Sequence, residues 1–130
     1  MTKRLETYRC NICGNITVVF NSGNGQLICC GQPMEKLVAK TKEEGYEKHL
    51  PVIEEKGEET LIKIGSNPHP MGKEHFIQWI NVVTKKGCIC TRFLKPGQRP
   101  EAKFKIKKDK IKLVHEYCNI HGLWQTKNNY

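Results

Sequence analysis

Several features are missing from this sequence, and each absence narrows the reading. No apolar run approaches the roughly 18 residues that a membrane-spanning helix needs. The opening Met1-Thr2-Lys3-Arg4-Leu5-Glu6 has no apolar stretch of the kind a signal peptide carries. The expectation is therefore a cytoplasmic, reducing setting with no membrane partner, in which thiols bind metal rather than pair as disulfides. No convincing amphipathic helix is visible, and aromatic residues make up only 8% of the chain. Acidic residues are few, 13 against 22 basic ones, for a net charge of +9. Such a balance suits nucleic acid, an anionic membrane, or a small anion steered into a site. The lysines are spread over several strands and no nucleic-acid recognition motif is visible, so nucleic acid is not expected as a partner. With 130 residues there is room for one modest core and a smaller unit that leans on a metal.

Histidine is scarce, with five residues, and cysteine is odd in number, with seven. These few residues are strongly clustered. Cys10-Asn11-Ile12-Cys13 is a knuckle, two thiolates spaced to grip one metal. Cys29 and Cys30 follow as neighbours. Adjacent side chains on an extended backbone point to opposite sides, so this pair can join one metal only if the chain bends, and the four-thiolate site should be distorted from a regular tetrahedron. At the other end the chain reads Cys118-Asn119-Ile120-His121. Three more histidines precede it: His49 in Glu47-Lys48-His49-Leu50-Pro51, His69 between Pro68 and Pro70, and His75. One thiolate with four imidazoles is too nitrogen-rich for a usual structural zinc site and suits a redox metal such as iron. Four equatorial imidazoles and one axial thiolate would leave one position open for a small ligand. The prolines stiffen the loops that carry His49 and His69.

The remaining pattern is all-β. Ile16–Phe20 reads as a short strand before a turn at residues 21–25. From residue 47 onward short strands alternate with turn signals: 52–56 and 60–64 around Gly57, then 76–83, 88–94, 104–107 and 111–117. Such spacing indicates a β-sandwich. The expected division is a small cysteine-bearing unit at 1–37, a polar linker at 38–46 and a sandwich at 47–130. Cys88 and Cys90, two apart on a strand, are expected to pack in the core. His115 is expected to be structural, and Trp124 could shield one side of the histidine site, although core packing explains it equally well.

Together the two ligand sets and the Glu47–Pro51 segment resemble one family over essentially the whole chain, the desulfoferrodoxins, or two-iron superoxide reductases. The resemblance implies a desulforedoxin- or rubredoxin-like domain with an iron bound by Cys10, Cys13, Cys29 and Cys30, followed by an immunoglobulin-like β-sandwich. There a second iron would be bound by His49, His69, His75, Cys118 and His121. It implies one-electron reduction of superoxide to hydrogen peroxide at this histidine–cysteine iron, with Cys118 donating electron density from the axial side. Lys48 would attract the anion and stabilise developing charge, and Glu47 would supply a carboxylate to the open position of the ferric site. The tetrathiolate centre would relay electrons or staple its domain. A rubredoxin-like electron donor and a homodimer are implied as partners. The competing readings are a rubredoxin-like electron carrier and a zinc-ribbon-type binding protein.

Overall fold

The computed structural model describes residues 1–43 and 45–129; Glu44, within the expected linker, and Tyr130, at the end of the expected sandwich, lie outside the described residues. The chain forms two compact units, Met1–Val38 and Ala39–Tyr130.

The first unit is built from five very short strands, β1 (Thr7–Arg9), β2 (Ile16–Val18), β3 (Ile28–Cys29), β4 (Gln32–Pro33) and β5 (Glu35–Leu37). β1 is the centre of a three-stranded antiparallel sheet in the order β2-β1-β5, and β3 and β4 pair as a hairpin. Only Cys10 and Val19 are buried apolar residues here. A core that small cannot offset the entropy of ordering 38 residues, so the thiol cluster has to contribute much of the stability. The bend required at the adjacent cysteines is present. Cys30 sits at φ 53°, one of two non-glycine residues with positive φ among the described residues, and Gly31 follows at φ 74°. This left-handed step turns both side chains toward one point.

The second unit is a two-sheet sandwich. One sheet has the order β10-β7-β6, from β6 (Pro51–Lys56), β7 (Glu59–Ile64) and β10 (Glu101–Phe104). The other runs β12-β11-β8-β9, from β8 (Ile77–Thr84), β9 (Ile89–Phe93), β11 (Ile111–Cys118) and β12 (Gly122–Lys127). All pairings are antiparallel. β7 alternates cleanly: Thr60, Ile62 and Ile64 point inward, while Glu59, Leu61 and Lys63 point outward. Ile62, Ile64, Ile77, Ile80, Val82, Ala102, Phe104, Ile111, Val114 and Cys118 form one buried cluster between the sheets.

Three sequence expectations shift. The strand expected at 104–107 is displaced to Glu101–Phe104. Phe104 already faces Thr60, the second residue of β7, so the ladder is almost at the end of its partner, and Thr60 Oγ1 donates to the Ile106 carbonyl (2.7 Å). Cys88 is exposed rather than packed in the core, because it closes the β8–β9 turn; Cys90, one step into the edge strand, does pack against the core. Residues 39–43 are grouped with the second unit, where the Lys40 backbone pairs with β12 through Lys40 N–H to Leu123 O (2.9 Å) and Gln125 N–H to Lys40 O (3.0 Å).

A single helical turn, α1 (Tyr46–His49), leads into β6 and is fastened to the loop after β7. Asn67 N–H and Ser66 Oγ both donate to the Glu47 carbonyl, at 3.0 and 3.1 Å. Gly65, at φ 86°, makes this possible: a Cβ there would lie 2.3 Å from Asn67 O and 2.8 Å from the Lys48 backbone. Gly65→Ala therefore combines positive-φ strain with a backbone clash. It should destabilise the sandwich by roughly 2 kcal/mol or more, read as a lower denaturation midpoint with the absorption of the tetrathiolate centre unchanged.

Candidate metal centres

In the first unit the four thiols of Cys10, Cys13, Cys29 and Cys30 lie within 4.8 Å of one another. Cys13 Sγ is 3.6 Å from Cys29 Sγ, which is 4.0 Å from Cys30 Sγ. A tetrahedron of thiolates on a metal has edges of about 3.8 Å for bonds of about 2.3 Å, so the cluster has the right size. The N–H groups of Cys13 and Ile12 bring the Cys10 thiol down to about 6. Cys30 is pushed up to about 12 by the thiols of Cys13, Cys10 and Cys29 around it. Four thiols this close cannot all ionise side by side without a cation among them, and a metal supplies that cation. Asn15 adds two donors to sulfur, its N–H to Cys13 (3.5 Å) and its Nδ2 to Cys29 (3.8 Å).

The second cluster is assembled from four separate places in the sandwich. His49 ends α1, His69 and His75 lie within the loop between β7 and β8, and Cys118 and His121 bracket the β11–β12 turn. The four imidazoles close a ring of neighbours: His49 to His69 at 4.6 Å, His69 to His75 at 4.8 Å, His75 to His121 at 5.0 Å and His121 to His49 at 4.9 Å between centroids. Every adjacent pair is edge-on, with interplanar angles of 63° to 82°. Cys118 belongs to both halves of this ring. Its sulfur groups with His49 and His69 on one side and with His75 and His121 on the other, in each case within 4.8 Å.

Cys118 is fully buried at the end of β11. The register with β8 slips there: Tyr117 faces Trp79, but Cys118 faces Ile77, so Gln78 is the extra residue and the bulge lies on β8. β11 itself stays in register with β12, with Cys118 facing Gly122. His121 N–H then donates to the sulfur at 3.4 Å, and His121 Nδ1 lies 3.9 Å from it.

Three buried ring nitrogens, His49 Nδ1, His69 Nε2 and His75 Nε2, have no hydrogen-bond partner among the described residues. His69 Nδ1 is 2.6 Å from the Pro70 carbonyl. Donation there leaves Nε2 as a bare lone pair facing the ring. Burial, reinforced by the neighbouring histidines, brings His49 down to about 3, and burial chiefly brings His69 to about 4. Both are therefore neutral near pH 7, the form that binds metal. Orphaned lone pairs around a buried thiol fit a metal of intermediate softness.

Several surrounding residues escaped the sequence reading. Glu116 is fully buried, with Oε2 3.6 Å from His49 Nδ1, and burial pushes its carboxyl well up. Its position two before Cys118 on a strand places both on one face, a signal that period-2 counting could have found. Asn119 clamps the His75 segment: its Oδ1 accepts from Phe76 N–H (2.9 Å) and its Nδ2 donates to Glu74 O (3.0 Å). Trp124 stacks on His49 at 4.6 Å and 8°, so it does cover one side of the ring. His115 is bonded to Gln125 (2.7 Å) and is structural. Lys48 is exposed, and Glu47 is half-buried beside it.

Asn119→Ala should free the 74–76 segment and leave Phe76 N–H without its side-chain acceptor. Supports of this kind are worth about 10- to 100-fold in metal affinity. A chelator challenge should strip the histidine centre roughly tenfold more readily while leaving the tetrathiolate centre intact.

The desulfoferrodoxin family profile matches residues 41–127, and the profile of the desulfoferrodoxin N-terminal domain matches residues 2–37. A desulfoferrodoxin homologue of Archaeoglobus fulgidus is 48% identical over 126 residues, covering 97% of this chain and 99% of the relative. One from Methanothermobacter thermautotrophicus is 49% identical over 124 residues, covering 95% and 99%. Among solved structures, the superoxide reductase from Treponema pallidum superposes with a TM-score of 0.79 at 28% identity, covering 97% of this chain and all of that one. On this similarity, which spans both metal-bearing units, the chain belongs to the desulfoferrodoxin family.

Proposed function

We propose that this chain is a superoxide reductase, consuming one electron and two protons per superoxide to yield hydrogen peroxide. The observation that carries this reading is the closed ring of four imidazoles around a fully buried Cys118 sulfur. His49, His69, His75, His121 and Cys118 would hold one iron, and Cys10, Cys13, Cys29 and Cys30 the other; family membership and the two ligand clusters support iron at both. The first iron supplies a one-electron reductant and a position for a small anion.

The chain's own groups do the rest. The sandwich, 47–130, carries this chemistry, and the 1–37 unit carries the tetrathiolate centre. Cys118, supported by the His121 N–H, would hold the iron from the buried side and donate electron density to it. His49 is wedged between Trp124 and the ring, so the ligand frame resists rearrangement when its charge changes. The Lys48 ammonium, exposed beside His49, draws the anion in and stabilises charge as it builds on oxygen. Glu47, held to the same turn through its carbonyl, offers a carboxylate at the site.

A small one-electron donor of the rubredoxin type would suit the basic surface by charge if it is acidic. A homodimer is supported by apolar side chains left exposed in the first unit: Phe20 at 74%, Ile28 at 60% and Ile12 at 57%. A cytoplasmic setting is supported by seven free thiols.

Two measurements test the function together. The reduced, iron-loaded protein should yield one hydrogen peroxide per superoxide with no dioxygen; dioxygen release would mean dismutation and defeat the proposal. Lys48→Ala should slow the superoxide reaction roughly tenfold and flatten its dependence on ionic strength.

A further inference from the structure

Lys40 comes from the segment that the sequence reads as linker, yet it is tied to the histidine site at three points. Its backbone is paired with β12 on either side of Trp124. Its Nζ donates to the carbonyl of His121 at 2.9 Å. The same ammonium lies 5.5 Å from the centre of the Trp124 ring. Trp124 in turn donates its Nε1–H to that same His121 carbonyl (3.2 Å) and stacks on His49. One cation thus braces two of the four ring histidines, His121 through its carbonyl and His49 through the indole.

A fixed positive charge beside a redox centre favours the state with fewer positive charges. For the iron this is the reduced state, the one that can give an electron to superoxide. The side chain is half-buried, so solvent screens it less than it screens the exposed Lys48. The two lysines divide the work. Lys48 acts on the incoming anion, whereas Lys40 has its charge spent on a backbone carbonyl and an indole face.

Resting on the superoxide-reductase reading, we propose that Lys40 is a positioning residue that tunes the histidine–cysteine iron centre, holding its charge against His121 and Trp124 so that the reduced form is favoured. The test uses the full-length, iron-loaded chain and three variants, Lys40→Gln, Lys40→Arg and Lys40→Met. Gln retains a donor for the His121 carbonyl without the charge; Arg retains both; Met removes both. Potentiometric titration followed by visible absorption reads each centre separately, and the tetrathiolate centre serves as the internal control.

The expectation is that Lys40→Gln and Lys40→Met lower the equilibrium constant for reduction of the histidine centre roughly tenfold, about 59 mV for one electron. They should also move its thiolate-to-iron absorption to shorter wavelength. Lys40→Arg should stay close to the unmodified chain, and the tetrathiolate centre should not move in any variant. An unchanged potential in Lys40→Gln would overturn the proposal. So would an equal drop in Gln and Arg, which would trace the effect to packing and not to charge. Absence of a separate histidine-centre signal in the unmodified chain would instead overturn the superoxide-reductase reading, and this proposal with it.

Discussion

A thiol and several imidazoles packed together with their lone pairs facing inward are tolerable only if a cation joins them. Cys118 and His69 are withdrawn from water, and the His69 and His75 Nε2 atoms have no partner among the described residues. Bare buried acceptors of this kind each cost about 1–3 kcal/mol. The same constraint governs the smaller unit, where four sulfurs crowd within 4.8 Å and a mere two apolar side chains are buried. Metal is thus the common structural requirement of both units. In the sandwich it completes an existing core; in the small unit it stands in for one.

The sandwich meets this requirement by mounting the sulfur on its most rigid element. β11 lies between β8 and β12, and Cys118 belongs to the same buried cluster as Ile77, Ile80 and Val114. The histidines come instead from turns, each fastened separately: His49 by the docking of α1 over Gly65, His75 by Asn119, and His121 by the β11–β12 turn. The Cys118 thiol therefore has little freedom, while each histidine depends on its own fastening. Its strand keeps register with β12 through Cys118, and the bulge opposite it falls on β8 at Gln78.

Charge is layered around this frame. Buried Glu116 lies behind His49, half-buried Lys40 is pinned over Trp124, and exposed Lys48 stands at the surface. Each sits in a different dielectric, so solvent screens the three charges to different degrees. The remaining lysines, spread over outward strand faces, account for the net charge without marking any one site.

The two clusters of nine candidate ligands were legible in the sequence because few side chains can bind a redox metal and because this chain holds so few cysteines and histidines elsewhere. Alternation in β7 and the turn at Gly57 were legible for a similar reason: they depend on neighbours two or three residues away. The end of β10 at Phe104 was not, since it is set by where β7 runs out of backbone to pair with. Nor was the exposure of Cys88, which follows from an edge position that periodicity does not reveal. Sequence by itself singled out the candidate metal ligands and the all-β frame. Only the tertiary structure decided how those residues converge, through a left-handed step at Cys30, the central place of β11 between two strands and a glycine that lets two loops touch. It also brought Lys40, 81 residues before His121, onto that residue's carbonyl, because long-range pairing depends on the fold of the whole sheet and leaves no local trace in the chain.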